Sequence, residues 1–178
     1  SGLFRSRMLI SSGCPKRASE TRAGRRKRGR GWPTHRLTRS LYCSPVARYV
    51  IDAPTLLDLV ANHVDVHPSN QLVAPNRIRS EALSLLLAAV NQGDITEGLA
   101  LQQHERLTEI KMRLLGDRVS RRTAWRIARE HGWETIFDAE YLAVCTLQAD
   151  ALITIDRELA LKAEGIVPLA PLDALSSD

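Results

Sequence analysis

Aromatic side chains make up only 4% of this 178-residue chain, so its core must be built from Leu, Val, Ile and Ala. Cysteine is nearly as scarce. Cys14, Cys43 and Cys145 are odd in number and lack metal-ligand spacing, which argues against a disulfide scaffold or a cysteine metal site. They fit a reducing compartment, and Cys145, inside an apolar helical pattern, reads as a small core residue. No apolar run approaches the roughly 18 residues that a membrane span needs. No apolar stretch follows Gly24-Arg25-Arg26-Lys27-Arg28 to make a secretory signal, so the expected location is cytoplasmic. His63, His67, His104 and His131 show no HxH or HExxH spacing, which argues against zinc. The glycine fingerprint of a dinucleotide-binding fold is also missing. Lys111 and Lys162 are the only lysines after residue 48 and neither closes a strand, which argues against a phosphate-receiving signalling domain.

Acidic residues are almost missing from one end of the chain. Residues 1–48 hold 13 Lys and Arg against a single acid, Glu20, whereas residues 49–178 hold 12 against 19 acids. The basic character therefore belongs to the tail, and the body is mildly acidic. Residues 1–45 show no helical or strand periodicity and read as a disordered segment. A nucleic-acid-binding arm and an Arg- and Ser-rich transit peptide both fit that composition. The preferred expectation is a third one: translated sequence upstream of the true start, with Val46 as an alternative initiation site. The folded domain then spans residues 46–178.

From Tyr49 onward the pattern is regular. Short apolar runs at 49–52, 71–74, 135–137, 151–155 and 166–167 read as strands. Helices are expected from Pro54 to about Asn62, from about Asn76 to Asn91 with Leu83, Leu86, Leu87 and Val90 as the core stripe, over 96–116 as one or two helices, from an N-cap at Ser120 to His131, over 138–149 and over 157–163. Strands alternating with helices predict an α/β fold of three layers, with a short parallel sheet of about four to five strands flanked by helices. Trp125 and Trp133 read as packing residues. Arg122, Arg126 and Arg129 share one face of their helix, with Arg118 and Arg121 nearby. That face is either an RNA track or a solvated surface paired with acids.

Four acids stand at element boundaries. Asp52 closes Tyr49-Val50-Ile51, Glu81 opens a helix after Leu72-Val73-Ala74, Asp138 opens another after Ile136-Phe137, and Asp156 closes Ala151 to Ile155. Taken singly, Asp52 and Asp156 read as helix caps, Glu81 as a solvated residue and Asp138 as a partner of a helix N-terminus. Taken together they converge, because ligands of parallel α/β sheets bind beyond the carboxyl ends of the strands. Carboxylates gathered there repel one another unless a cation lies between them. Mg²⁺ or Mn²⁺ suits oxygen ligands and retains several waters. Such an ion makes water a competent nucleophile near neutral pH and stabilises charge on phosphoryl oxygens. Thr154 supplies a hydroxyl able to orient a water or a carboxylate.

Tyr49-Val50-Ile51-Asp52-Ala53, Arg79-Ser80-Glu81-Ala82-Leu83, Phe137-Asp138-Ala139-Glu140-Tyr141-Leu142-Ala143 and the run from Ala149 to Leu159 with its Thr154-Ile155-Asp156 ending occur in one order. In that order residues 46–175 resemble the PIN-domain nucleases, and most closely the VapC toxins of toxin–antitoxin pairs. Where that family often carries Ser or Asn two residues after the first acid, this chain has Pro54. The resemblance implies a PIN-like fold and an endoribonuclease cutting single-stranded or looped RNA to leave a 5′-phosphate and a 3′-hydroxyl. It implies Mg²⁺, with Mn²⁺ as substitute, held by Asp52, Glu81 and Asp138. Asp156 would act through water or hold a second ion. It also implies a small VapB-like antitoxin that places a basic side chain among the carboxylates, and a homodimer. Leu56, Leu57, Val60 and the 96–116 helices are candidates for these interfaces and equally for core. Glu140 is a candidate outer member of the site. The alternative is a non-catalytic RNA- or protein-binding module on the same scaffold.

Overall fold

A computed structural model describes residues 46–176. The expectations for residues 1–45 lie outside the described residues. The elements run β1 (Ala47–Ile51), α1 (Ala53–Ala61), β2 (Asn70–Pro75), α2 (Ile78–Gln92), α3 (Glu97–Glu109), β3 (Met112–Leu115), α4 (Arg118–Glu130), α5 (Phe137–Gln148), β4 (Ala151–Ile153) and α6 (Arg157–Ala163), then a 3-10 turn at Leu172–Leu175. The four strands form one sheet in the order β3-β2-β1-β4. Every pairing is parallel, with Val50 opposite Val73 and Leu152, and Leu72 opposite Met112.

Consecutive residues of β1, β2 and β4 are buried: Val50 and Ile51, Leu72 to Ala74, Ala151 to Ile153. Burial without alternation means that both faces of the sheet are covered, as parallel sheets require. The connections explain how. From β1 to β3 the chain moves one way along the sheet through α1, α2 and α3, and then returns past β1 to β4 through α4 and α5. Crossovers of one hand running in opposite directions place their helices on opposite faces. Accordingly α1, α2 and α3 contact one another, while α5 lies against β1, β2 and β4 with α4 beside it. The chain is thus a three-layer α/β fold.

Several boundaries differ from the sequence-based expectation. Residues 112–115 form the edge strand β3 instead of the end of a helix. Four residues are too few for periodicity to separate strand from helix, and no Gly or Pro marks the break before Met112. The N-cap of α4 is Asp117, whose carboxylate accepts from Ser120 N–H at 2.7 Å. Ser120 is thus inside the helix, not at its start. Residues 135–137 form no strand, since Ile136 caps α5. The expected strand at 166–167 is replaced by an isolated bridge between Leu152 and Leu169. On α2 the buried stripe is Ile78, Ala82 and Leu86, whereas Leu83 and Leu87 are exposed. Leu56 and Val60 are core and Leu57 packs against it, so they offer no interface in this structure. Trp125 is exposed rather than packed.

Candidate metal centre

Reversal of strand order is the feature that positions the site. The chain leaves β1 toward β2 and later arrives at β4 on the other side of β1, so the switch point lies between β1 and β4. Asp52 follows β1 and Asp156 follows β4. The two acids read from the ends of apolar runs therefore flank the crevice where open α/β sheets bind ligands.

Asp52 caps α1: its Oδ1 accepts from Thr55 N–H at 3.0 Å. Its Oδ2 accepts from the Thr154 hydroxyl. The hydroxyl of Thr154 in turn accepts from Asp156 N–H at 3.0 Å. Thr154 thus orients the first acid and fixes the backbone of the last. Thr55, fully buried, accepts from Ile155 N–H at 3.0 Å and so ties α1 to the segment after β4. Pro54 brings no polar side chain, whereas the hydroxyl of the next residue, Thr55, hydrogen-bonds to the Asp52 carboxylate. Burial raises the Asp52 carboxyl above the ordinary range, opposed by hydrogen bonds from Thr154 and Thr55 and reinforced by the charge of Asp156. Asp156 caps α6 through Oδ1, 2.8 Å from Glu158 N–H.

Glu81 lies in the first turn of α2. A single oxygen, Oε2, accepts from the Tyr141 hydroxyl at 2.8 Å and faces Arg77 Nε at 3.2 Å. Tyr141 is buried in α5, and burial together with the Glu81 charge holds its phenol protonated, well above its usual range. Arg77 also stacks on Phe137, its guanidinium carbon 4.0 Å from the ring centre. Asp138, one residue further on, receives Lys162 Nζ on Oδ2 at 2.5 Å. That hydrogen bond raises the lysine above its ordinary range, with further help from the charges of Asp138, Glu158 and Asp156. Lys162 also lies 5.8 Å from the Trp133 ring centre.

The structure brings Asp52, Thr154 and Asp156 into one hydrogen-bonded unit. Glu81 and Asp138 are each held by their own cation, and no three His, Cys, Asp or Glu side chains group tightly enough among the described residues to hold an ion as they stand. Oxygens remain in reserve. Glu81 Oε1, Asp138 Oδ1 and Asp156 Oδ2 have no hydrogen-bond partner among the described residues. The donor set suits Mg²⁺, which is commonly held by one or two carboxylates with water completing its shell. Sequence reasoning missed Thr55, Tyr141, Arg77 and Lys162. Their only signal was position: Thr55 at the third helical residue of α1, Tyr141 one turn from Asp138, and Arg77 one turn before Glu81.

No protein-family profile and no curated protein matches the chain. Among solved structures, the crystal structure of PAE2754 from Pyrobaculum aerophilum is similar, with a TM-score of 0.58 and 25% identity over 73% of this chain and 93% of that one. The likeness carries the fold.

Proposed function

We propose that the chain is a metal-dependent endoribonuclease of the VapC kind, a toxin held inactive by a small antitoxin, with Asp52, Glu81, Asp138, Asp156 and Thr154 as its site. The observation that carries this reading is the Asp52–Thr154–Asp156 unit at the sheet's switch point. A buried carboxylate whose proton affinity is raised by burial and by a second acid is a place where a cation is favourable. Mg²⁺ or Mn²⁺ bound there would neutralise the phosphodiester and activate water. The chain's own residues do the positioning. Thr154 sets the Asp52 carboxylate, Tyr141 and Arg77 hold one oxygen of Glu81 and leave the other available, and Lys162 balances Asp138 until a divalent cation takes its place. Arg118, Arg121, Arg122, Arg126 and Arg129 lie exposed on α4 around the exposed Trp125. Cations interleaved with an aromatic ring suit single-stranded RNA. None of these arginines forms an ion pair among the described residues, which favours the track over the paired surface. Leu83, Leu85, Leu87, Leu99 and Leu101 are exposed on α2 and α3, an apolar surface of the kind partners cover; an antitoxin or a second copy is the proposed occupant.

The test is cleavage of total cellular RNA by the full chain, purified free of antitoxin, in Mg²⁺, Mn²⁺ or EDTA, beside D52N and D138N. Discrete fragments that need metal and vanish in both variants support the nuclease. Identical RNA in every lane, from folded protein, favours the non-catalytic module. That second reading draws on the cations already seated on Glu81 and Asp138.

A further inference from the structure

The same carboxyl edge of the sheet continues past the acids to β2 and β3, where it opens into a cavity of about 280 Å³. That is close to the lower bound of roughly 300 Å³ for small-molecule sites, room for one planar ring system. Leu115 and Val144 supply apolar wall, and Asn76, Arg77, Arg121 and Glu140 supply polar groups. The Arg121 guanidinium, the Asn76 amide and the Glu140 carboxylate have no hydrogen-bond or ion-pair partner among the described residues, and Arg77 keeps a buried Nη1 without an acceptor. Arg77 joins the cavity to the acids, because its Nε faces Glu81. Glu140 enters the cavity wall from α5, the helix that also carries Asp138.

We propose that this cavity is a base-recognition subsite that takes an unpaired guanine next to the cleaved bond. The inference rests on the ribonuclease reading and supplies its sequence preference. Single-stranded RNA is read by turning bases out of the stack and hydrogen-bonding their edges. A pocket for phosphate alone would not carry a carboxylate in its wall. A carboxylate such as that of Glu140 offers acceptors, and the guanidinium groups of Arg77 and Arg121 only donate. Guanine matches both demands: adjacent N1–H and N2–H₂ donors for the two carboxylate oxygens, and O6 and N7 acceptors for a guanidinium fork. Uracil has one donor between two acceptors. Adenine and cytosine each offer an amino group beside an acceptor, and that acceptor would face the second carboxylate oxygen.

The test is fluorescence anisotropy of the full chain in EDTA with labelled oligouridine carrying one central G, A or C, beside unbroken oligouridine. Equal phosphate numbers cancel the contribution of the basic residues 1–48. The G strand should bind roughly tenfold more tightly. The preference should disappear in E140Q, with oligouridine binding kept. It should also fall in G116A, whose added Cβ would stand 2.5 Å from Asn76 Nδ2 and force that cavity-lining amide to shift. Equal affinity for all strands, or a G preference unchanged in both variants, overturns the subsite while leaving metal-dependent cleavage standing. Failure to bind any RNA, together with failure to cleave it, overturns the subsite and the nuclease reading at once.

Discussion

Asp52 serves two ends with one carboxylate, capping α1 through Oδ1 and meeting Thr154 through Oδ2. Its proton affinity is raised in the fold by burial. Below the ordinary carboxylate range, near pH 3.9, the side chain is protonated folded or unfolded and contributes nothing to pH dependence. As pH rises above that range the unfolded chain releases its proton first, and the cost of ionising Asp52 in the fold grows until pH has passed the raised folded value. D52N keeps the cap and lacks the charge. In EDTA its melting temperature should exceed that of the native protein at pH 7, and the gap should close toward pH 4. An offset that stays constant with pH would contradict this assignment. Lys162 offers a complementary check. Its pair with Asp138 is more than one-third exposed, so its strength is that of a screened pair, about 0.2–1 kcal/mol. K162Q should tighten Mn²⁺ binding by about two- to fivefold in calorimetry, and weaker or unchanged binding would show that the lysine does not compete for the site.

Elements here were legible in proportion to their length and their punctuation. Helices α1 and α6 carry Asp caps and α5 a long buried face, and their sequence-based limits lie within about two residues of the observed ones. Strand β3 was not legible, because Met112 to Leu115 becomes a strand only by pairing with Leu72 to Pro75. The stripe of α2 was misjudged for a related reason. Leu83, Leu86 and Leu87 have equal hydropathy, and only the direction in which α1 and α3 approach selects Leu86. The end of α2 was legible in Gly93, which adopts φ +80° and donates its N–H to Ala89 and Val90. A Cβ there meets nothing within 4 Å, so G93A should cost only the left-handed backbone penalty, about 1 kcal/mol, read by urea denaturation. A loss several times larger would reveal packing that the open surroundings of Gly93 do not predict.

At the scale of the molecule, charge is divided between a basic first quarter and an acidic body, and two of the body's acids, Asp52 and Asp156, flank the switch point of the sheet. A ligand that binds only the folded state raises stability by about 2.7 kcal/mol at a hundredfold excess over its Kd. Mn²⁺ should therefore raise the melting temperature of the native chain reversibly, EDTA should abolish the rise, and D52N should show none. An equal rise in D52N would place the ion elsewhere.

The chain by itself determined which residues are acids at element ends and where apolar runs alternate with helical ones. Composition and local pattern depend only on neighbours in sequence, so the α/β class and Asp52, Glu81, Asp138 and Asp156 were readable. Tertiary structure decided the partners. Thr154 reaches Asp52 across 102 residues and Tyr141 reaches Glu81 across 60, and Lys162 meets Asp138. Such pairings follow from strand order and from which helix lies over which strand, and no local pattern records either.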